Sequence, residues 1–100
     1  MKWIELIRTR SCEAILSAAL PALEQQVRNI EASVPGAETF FLKHALYDGD
    51  LAVVVVWRNE VAPHKSREGL LVAEQLQRLG SVEHAVWIPA AREHISDVTP

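Results

Sequence analysis

Few residues in this chain have types and spacing that could do chemistry, and the histidines come first. They are His44, His64, His84 and His94, and none stands three or four residues from another. A helical metal motif of the usual spacing is therefore absent, and no metal or other cofactor is expected. Cys12 is the lone cysteine, so no internal disulfide can form, and a buried or semi-buried structural thiol is the plainer role for it. No glycine-rich phosphate loop and no G-x-S-x-G elbow occurs, and no serine carries a nucleophile signature. The stretch with most chemical promise is Trp57 to Gly69, WRNEVAPHKSREG. It sets an aromatic at the end of an apolar run, then a polar loop bearing His64 just before a helix. A histidine there can serve as acid or base near neutral pH. A helix N-terminus nearby disfavours its charged form, which suits a neutral base or donor. The plainer alternatives are that His64 packs its loop, that Trp57 is core, and that His44 is a satisfied histidine on an apolar strand.

The elements that must position these groups follow from periodicity. Trp3 to Arg10 is rich in β-branched and aromatic residues and reads as a strand. Ser11 offers a helix N-cap, and Leu16, Leu20, Leu23, Val27 and Ile30 form one apolar helical stripe interrupted by Pro21, where a kink or a later helix start is expected. Pro35-Gly36 ends it. Glu38 to Tyr47 and Leu51 to Trp57 are a second and third strand around Asp48-Gly49, a type I′ hairpin signal that requires positive φ. A two-residue turn pairs Tyr47 with Asp50 and sets Leu42 opposite Val55, Phe40 opposite Trp57 and His44 opposite Val53. His44, Leu42, Val53, Val55 and Trp57 then share one face, with Phe41, Val54 and Val56 on the other. Ser66 caps a second helix with Val72, Leu76 and Leu79 as its stripe, and Gly80 is expected to close it in the left-handed conformation. Glu83 to Pro89 is a fourth strand, and residues 90–100 are a polar tail.

The order β-α-β-β-α-β predicts an α+β, ferredoxin-like domain with a four-stranded antiparallel sheet, one domain over 1–100 with its core in 3–89. The third strand is apolar at every position, where an antiparallel strand with one wet face would alternate. Two helices cover one face only, so a homodimer is expected to bury the other. The net charge of −3 and the scattered basic residues give no field for nucleic acid or anionic lipid. Leu51 to Trp57 is too short to span a bilayer, so no membrane is expected. Without a signal-like start and with one cysteine, a cytoplasmic setting is the simpler expectation.

The pattern resembles the antibiotic biosynthesis monooxygenase family of the dimeric α/β-barrel superfamily. The resemblance rests on Val54 to Trp57 (V-x-x-W), on His64 seven residues on in a polar loop, and on a following helix with Leu70, Leu71, Leu76 and Leu79. The segment Ala19 to Glu24, ALPALE, is similar to the family's proline-containing helix, and the likeness runs over about residues 3 to 89. It implies a dimeric α/β barrel and a cofactor-independent oxygenase acting on an aromatic or quinol. Trp57, Leu42, Val53 and Val55 would hold the ring, with His64 or His44 orienting or deprotonating its hydroxyl. The pocket would lie on the helix-covered face, with Trp57 and at least one of these histidines in its wall. Haem-degrading members use an asparagine on the first strand, and Lys2 to Arg10 contains none. The alternative is a non-catalytic dimeric ligand-binding or structural module of the same fold; Trp57 packed solid would favour it.

Overall fold

A computed structural model describes residues 2–90; the expected polar tail beyond Ala90, His94 included, lies outside the described residues. The elements are β1 (Lys2–Arg10), α1 (Glu13–Ser33), β2 (Ala37–Lys43), β3 (Asp50–Arg58), α2 (Arg67–Gln77) and β4 (Ser81–Trp87). The sheet order is β2-β3-β1-β4 with every neighbouring pair antiparallel, the ferredoxin-like βαββαβ arrangement. Both helices lie on one face. Under them sit Trp3, Glu5, Ile7 and Thr9 of β1 and Leu51, Val53, Val55 and Trp57 of β3, all buried. Leu16, Leu23, Val27 and Ile30 of α1 and Val72 and Leu76 of α2 close over them, so the two apolar stripes face the core as their spacing requires. Pro21 lies inside α1, which runs through it.

The opposite face carries Ile4 and Leu6 of β1, Val54 and Val56 of β3, Phe40 and Leu42 of β2, and Trp87 of β4. Phe40, Leu42 and Trp87 are exposed. The alternation along β3 matches its expected sides, but β2 departs from them. Phe41 lies opposite Val53 and Leu42 opposite Ala52, three residues from the expected register. An odd shift turns every β2 side chain over. Phe41 therefore belongs to the helix-covered side, while Phe40 and Leu42 belong to the open side.

The cause is the connection. β2 stops at Lys43, and six residues, His44 to Gly49, lead to Asp50. His44 organises this loop: its Nδ1 accepts from the backbone N–H of Leu46 and Tyr47, at 3.0 and 3.2 Å. Asp50 N–H bonds Tyr47 O, so Asp48-Gly49 does form a turn, but neither residue has positive φ and the expected type I′ hairpin is not made. Gly49 is required for a different reason. A Cβ there would stand 2.2 Å from Ser11 O, beside the 2.7 Å bond from Ser11 N–H to Gly49 O. Gly80 also lacks positive φ, and its Cβ would meet Arg10 O at 2.0 Å. The chain thus leaves β1 pinched between two glycines. Cys12, not Ser11, is the N-cap of α1, without a side-chain cap bond, and its thiol is exposed rather than buried as expected, because it stands at the helix start outside the core. The Arg10 guanidinium grips Asp50 through Nε and Nη2, at 3.1 and 3.3 Å, fixing the β1–β3 register at this end.

Gly49→Val is expected to destabilise the domain by about 1–3 kcal/mol through overpacking against the Ser11 backbone. Urea unfolding followed by tryptophan fluorescence checks this, and an unchanged midpoint would mean that the loop moves away at no cost.

Candidate functional site

The helix-covered face is not uniformly apolar. Glu5 sits in the middle of β1, fully buried between Trp3 and Ile7. An isolated carboxylate there would be costly, and it is compensated by donors from three other elements. The Trp57 indole N–H of β3 donates to Oε1 at 2.9 Å. Ser66, the N-cap of α2, donates its hydroxyl to Oε1 and its backbone N–H to Oε2 at 3.2 Å. His84 of β4 places Nε2 2.6 Å from Oε2. Trp57, the Ser66 amide and the Ser66 hydroxyl in this geometry are all donors, so they fit an ionised carboxylate. The Ser66 hydroxyl in turn accepts from Gly69 N–H at 2.9 Å, which caps the helix as its sequence leads one to expect.

The start of α2 rests directly on this carboxylate. A Cβ on Gly69 would stand 2.0 Å from Glu5 Oε2, so glycine is what lets the first turn come so close. Negative charge at a helix N-terminus is favourable, and the uncompensated amides of the first turn add to the four direct donors.

An aromatic wall adjoins the carboxylate. Trp3 and Trp57 are cross-strand partners whose rings stack at 5.5 Å, and the His64 ring lies 5.4 Å from Trp3 on the connecting loop. Asn59 holds that loop down: its Oδ1 accepts from the Trp3 indole N–H at 3.0 Å and from Val61 N–H at 3.1 Å. His64 is exposed, and its Nδ1 is 2.7 Å from Ala62 O, which can only accept. In the neutral ring the proton therefore lies on Nδ1, and Nε2 is left as the acceptor. Near this end of the sheet, the last turns of α1 and the first turns of α2 enclose a groove of about 280 Å³ lined by Ile30, Ser33, Val34, Arg67, Glu68 and Leu71, among others.

The six residues singled out from sequence do not gather at one place. Val53, Val55 and Trp57 lie on the helix-covered face, with His64 at its end. Leu42 lies on the open face and is half exposed. His44, exposed, is in the β2–β3 loop, where its ring meets Tyr47 at 4.8 Å. Leu42 and His44 share a separate hollow of about 150 Å³ with Arg8, Lys43, Leu51 and Ala52. The expected shared face for His44, Leu42 and Trp57 is therefore corrected, by the register of β2. Glu5, Ser66 and His84 were missed as a group. Their signal is parity: Glu5 alternates with Trp3 and Ile7, and His84 with Val82 and Val86, so both point where apolar residues point. Among the described residues no cluster of three or more metal-ligating side chains occurs.

Glu5→Leu leaves Trp57, Ser66 and His84 without their common acceptor. Breaking a buried polar pair on one side typically costs about 3–5 kcal/mol, and a loss of that size is expected in a urea titration. A change under about 1 kcal/mol would mean that the leucine repacks and that water satisfies the orphaned donors.

No protein-family model matches the sequence, and neither does any curated protein. Solved structures do match the fold. Rv0793 of Mycobacterium tuberculosis is similar over 90% of this chain and 96% of its own, at TM-score 0.67 and 19% identity. SnoaB of Streptomyces nogalater, a cofactor-independent oxygenase, is similar over 89% and 93%, at TM-score 0.58 and 16% identity. A candidate antibiotic biosynthesis monooxygenase of Nitrosomonas europaea is similar over 88% and 89%, at TM-score 0.66 and 10% identity. With β-α-β-β-α-β order, a β2-β3-β1-β4 sheet and these neighbours, the chain has the ferredoxin-like fold of antibiotic biosynthesis monooxygenase-like proteins.

Proposed function

We propose that the chain is an oxygenase-like protein that binds a hydroxylated aromatic, such as a quinol, between its sheet and helices, as a homodimer and without an added cofactor. The observation that carries this reading is the Trp3–Trp57 stack with a buried, donor-saturated Glu5 at its side. Ring walls with a few fixed polar groups are what aromatic ligands require. SnoaB, of similar fold, is a cofactor-independent oxygenase. In such chemistry the substrate supplies all the electrons. Loss of the hydroxyl proton makes the ring system electron-rich enough to reduce dioxygen. When a ring C–H of the hydroxylated aromatic becomes a carbonyl, one oxygen atom enters the substrate and the other leaves as water with the hydrogen of that carbon and a hydroxyl hydrogen. His64, with a free Nε2 beside Trp3, orients the ring; Val53 and Val55 belong to the apolar floor; Leu42 and His44 stand apart from it.

A second reading, a non-catalytic ligand-binding or structural dimer, is favoured by one specific observation. Trp57 is only 3% exposed, with Trp3 stacked on it and its N–H taken by Glu5. Oxygen uptake with a panel of quinols separates the two readings. Uptake that depends on the protein is expected, and its absence across the panel favours the second. On a quinol that is turned over, His64→Ala is expected to raise KM more than it lowers kcat, and His44→Ala to change neither. A large loss in His44→Ala would relocate the site to the Leu42 hollow.

The open sheet face supports the homodimer. Among the described residues no helix covers Ile4, Leu6, Val54, Val56, Phe40, Leu42 and Trp87, and a contiguous apolar face of this kind is unusual on a monomer. A second copy presenting the same face buries both. Sedimentation is expected to give a dimer at micromolar concentration and a shift towards monomer in Val54→Asp; a monomeric wild-type chain would remove the dimer.

A further inference from the structure

We propose that His84, oriented by Glu5, takes the hydroxyl proton of the bound aromatic, which makes His84 a catalytic residue and Glu5 a positioning residue; this rests on the aromatic-substrate reading above. Three observations lead there. First, the His84 Nε2 faces a carboxylate at 2.6 Å, and a carboxylate already matched to three other donors takes an N–H from the imidazole. The proton of the neutral ring is thereby assigned to Nε2, and Nδ1 carries the lone pair. Second, Nδ1 has no hydrogen-bond partner among the described residues, and it is not one of the fully buried unpartnered atoms, so its lone pair is unspent and keeps some solvent contact. Third, His84 is on the edge strand β4, with a side chain 6% exposed, on the same face as Trp3 and Trp57 and bound to the same carboxylate as the Trp57 indole.

This is the arrangement that an imidazole base needs: one nitrogen tied to a buried carboxylate that fixes the tautomer, the other free for the incoming proton. In the step, the substrate O–H bond breaks and an Nδ1–H bond forms. The substrate is left as an oxyanion and His84 as an imidazolium facing the Glu5 carboxylate, so the new positive charge appears beside a charge already in place. The same pair meets the ordinary demand of general-base catalysis, that the base be held in reach before the substrate arrives. His64 lacks that support. Its Nδ1 is turned onto a loop carbonyl and the ring is exposed, which fits a group that steers the ring rather than one that stores a proton.

The test reads His84 directly. Long-range proton–nitrogen correlation spectra of the labelled protein give the tautomer of each histidine, and naphthol under argon serves as the hydroxylated probe, with naphthalene as the control that lacks the hydroxyl. The expected result is an Nε2–H tautomer for His84 whose Nδ1 resonance moves with naphthol and not with naphthalene. In Glu5→Gln the amide can donate to Nε2, so the tautomer is expected to flip to Nδ1–H. Naphthol binding should then weaken by about tenfold, the worth of one hydrogen bond, with naphthalene binding unchanged. On any quinol that is consumed, His84→Gln is expected to lower turnover by about 10²–10⁴-fold. An Nδ1–H tautomer in the wild-type protein, or a resonance that naphthol leaves in place, overturns the proposal and makes Glu5–His84 a structural tie. Oxygen uptake that survives His84→Gln overturns it too, while the oxygenase reading stands. A His84 that responds to naphthol in a protein that consumes no oxygen with any quinol supports the hydroxyl-binding site and removes the oxygenase.

Discussion

Everything on the covered side of this sheet is arranged around one carboxylate. Glu5 is fully buried, and its two oxygens meet Trp57 of β3, Ser66 at the head of α2 and His84 of β4. The entropy of ordering these groups and the desolvation of the charge both oppose the arrangement, so it holds only because every donor is satisfied at once. Replacing such a network as a whole by well-packed hydrophobic residues is often neutral in stability. A buried charge kept in the centre of a small core is therefore more informative about chemistry than about folding, and this is why the functional reading is centred on it rather than on the loop histidines.

The sequence made the architecture readable but not the centre. The stripes of α1 and α2, the capping serine of α2 and the two-sided β3 follow from spacing alone, because helical and strand periods differ and burial enforces them. Which side of β1 and β3 faces inward is not legible in the same way: Trp3 and Ile7 alternate with Ile4 and Leu6, both sets are apolar, and β3 is apolar at every position from Leu51 to Trp57. What failed was the connection at His44 to Gly49. Asp48-Gly49 signals a tight hairpin, yet the His44 ring holds a longer loop by bonding the amides of Leu46 and Tyr47, and Gly49 is spent on a close pass under Ser11. A side-chain-to-backbone bond of that kind competes with the local turn preference and leaves no mark in a hydropathy pattern. The register of β2, and with it the place of Leu42, turns on those two bonds.

Glu5 and His84 stayed hidden for another reason. A glutamate within a strand is ordinarily read as facing water, and a histidine near the chain's end as surface. Only the pairing of β1 with β4, which puts Glu5 opposite Val86 and Ile7 opposite His84, brings them within reach, and long-range pairing is what a single sequence specifies least. His64 and Trp57 could be found because they are close in sequence. His84 could not, because 79 residues separate it from its partner.

That separation has a consequence for how the molecule comes into being. A ribosome delivers Glu5 79 residues before His84, with Trp57 and Ser66 between, so the carboxylate meets its final donor only after the other three are made. Until β4 docks along β1, the carboxylate lacks its fourth donor, and an incompletely matched charge on what will be the inner surface favours keeping the sheet open. Docking of the last strand removes the penalty and seals the interior together. The chain is thereby discouraged from settling into a three-stranded compact form, and folding becomes an all-or-none event that only the complete sheet can conclude.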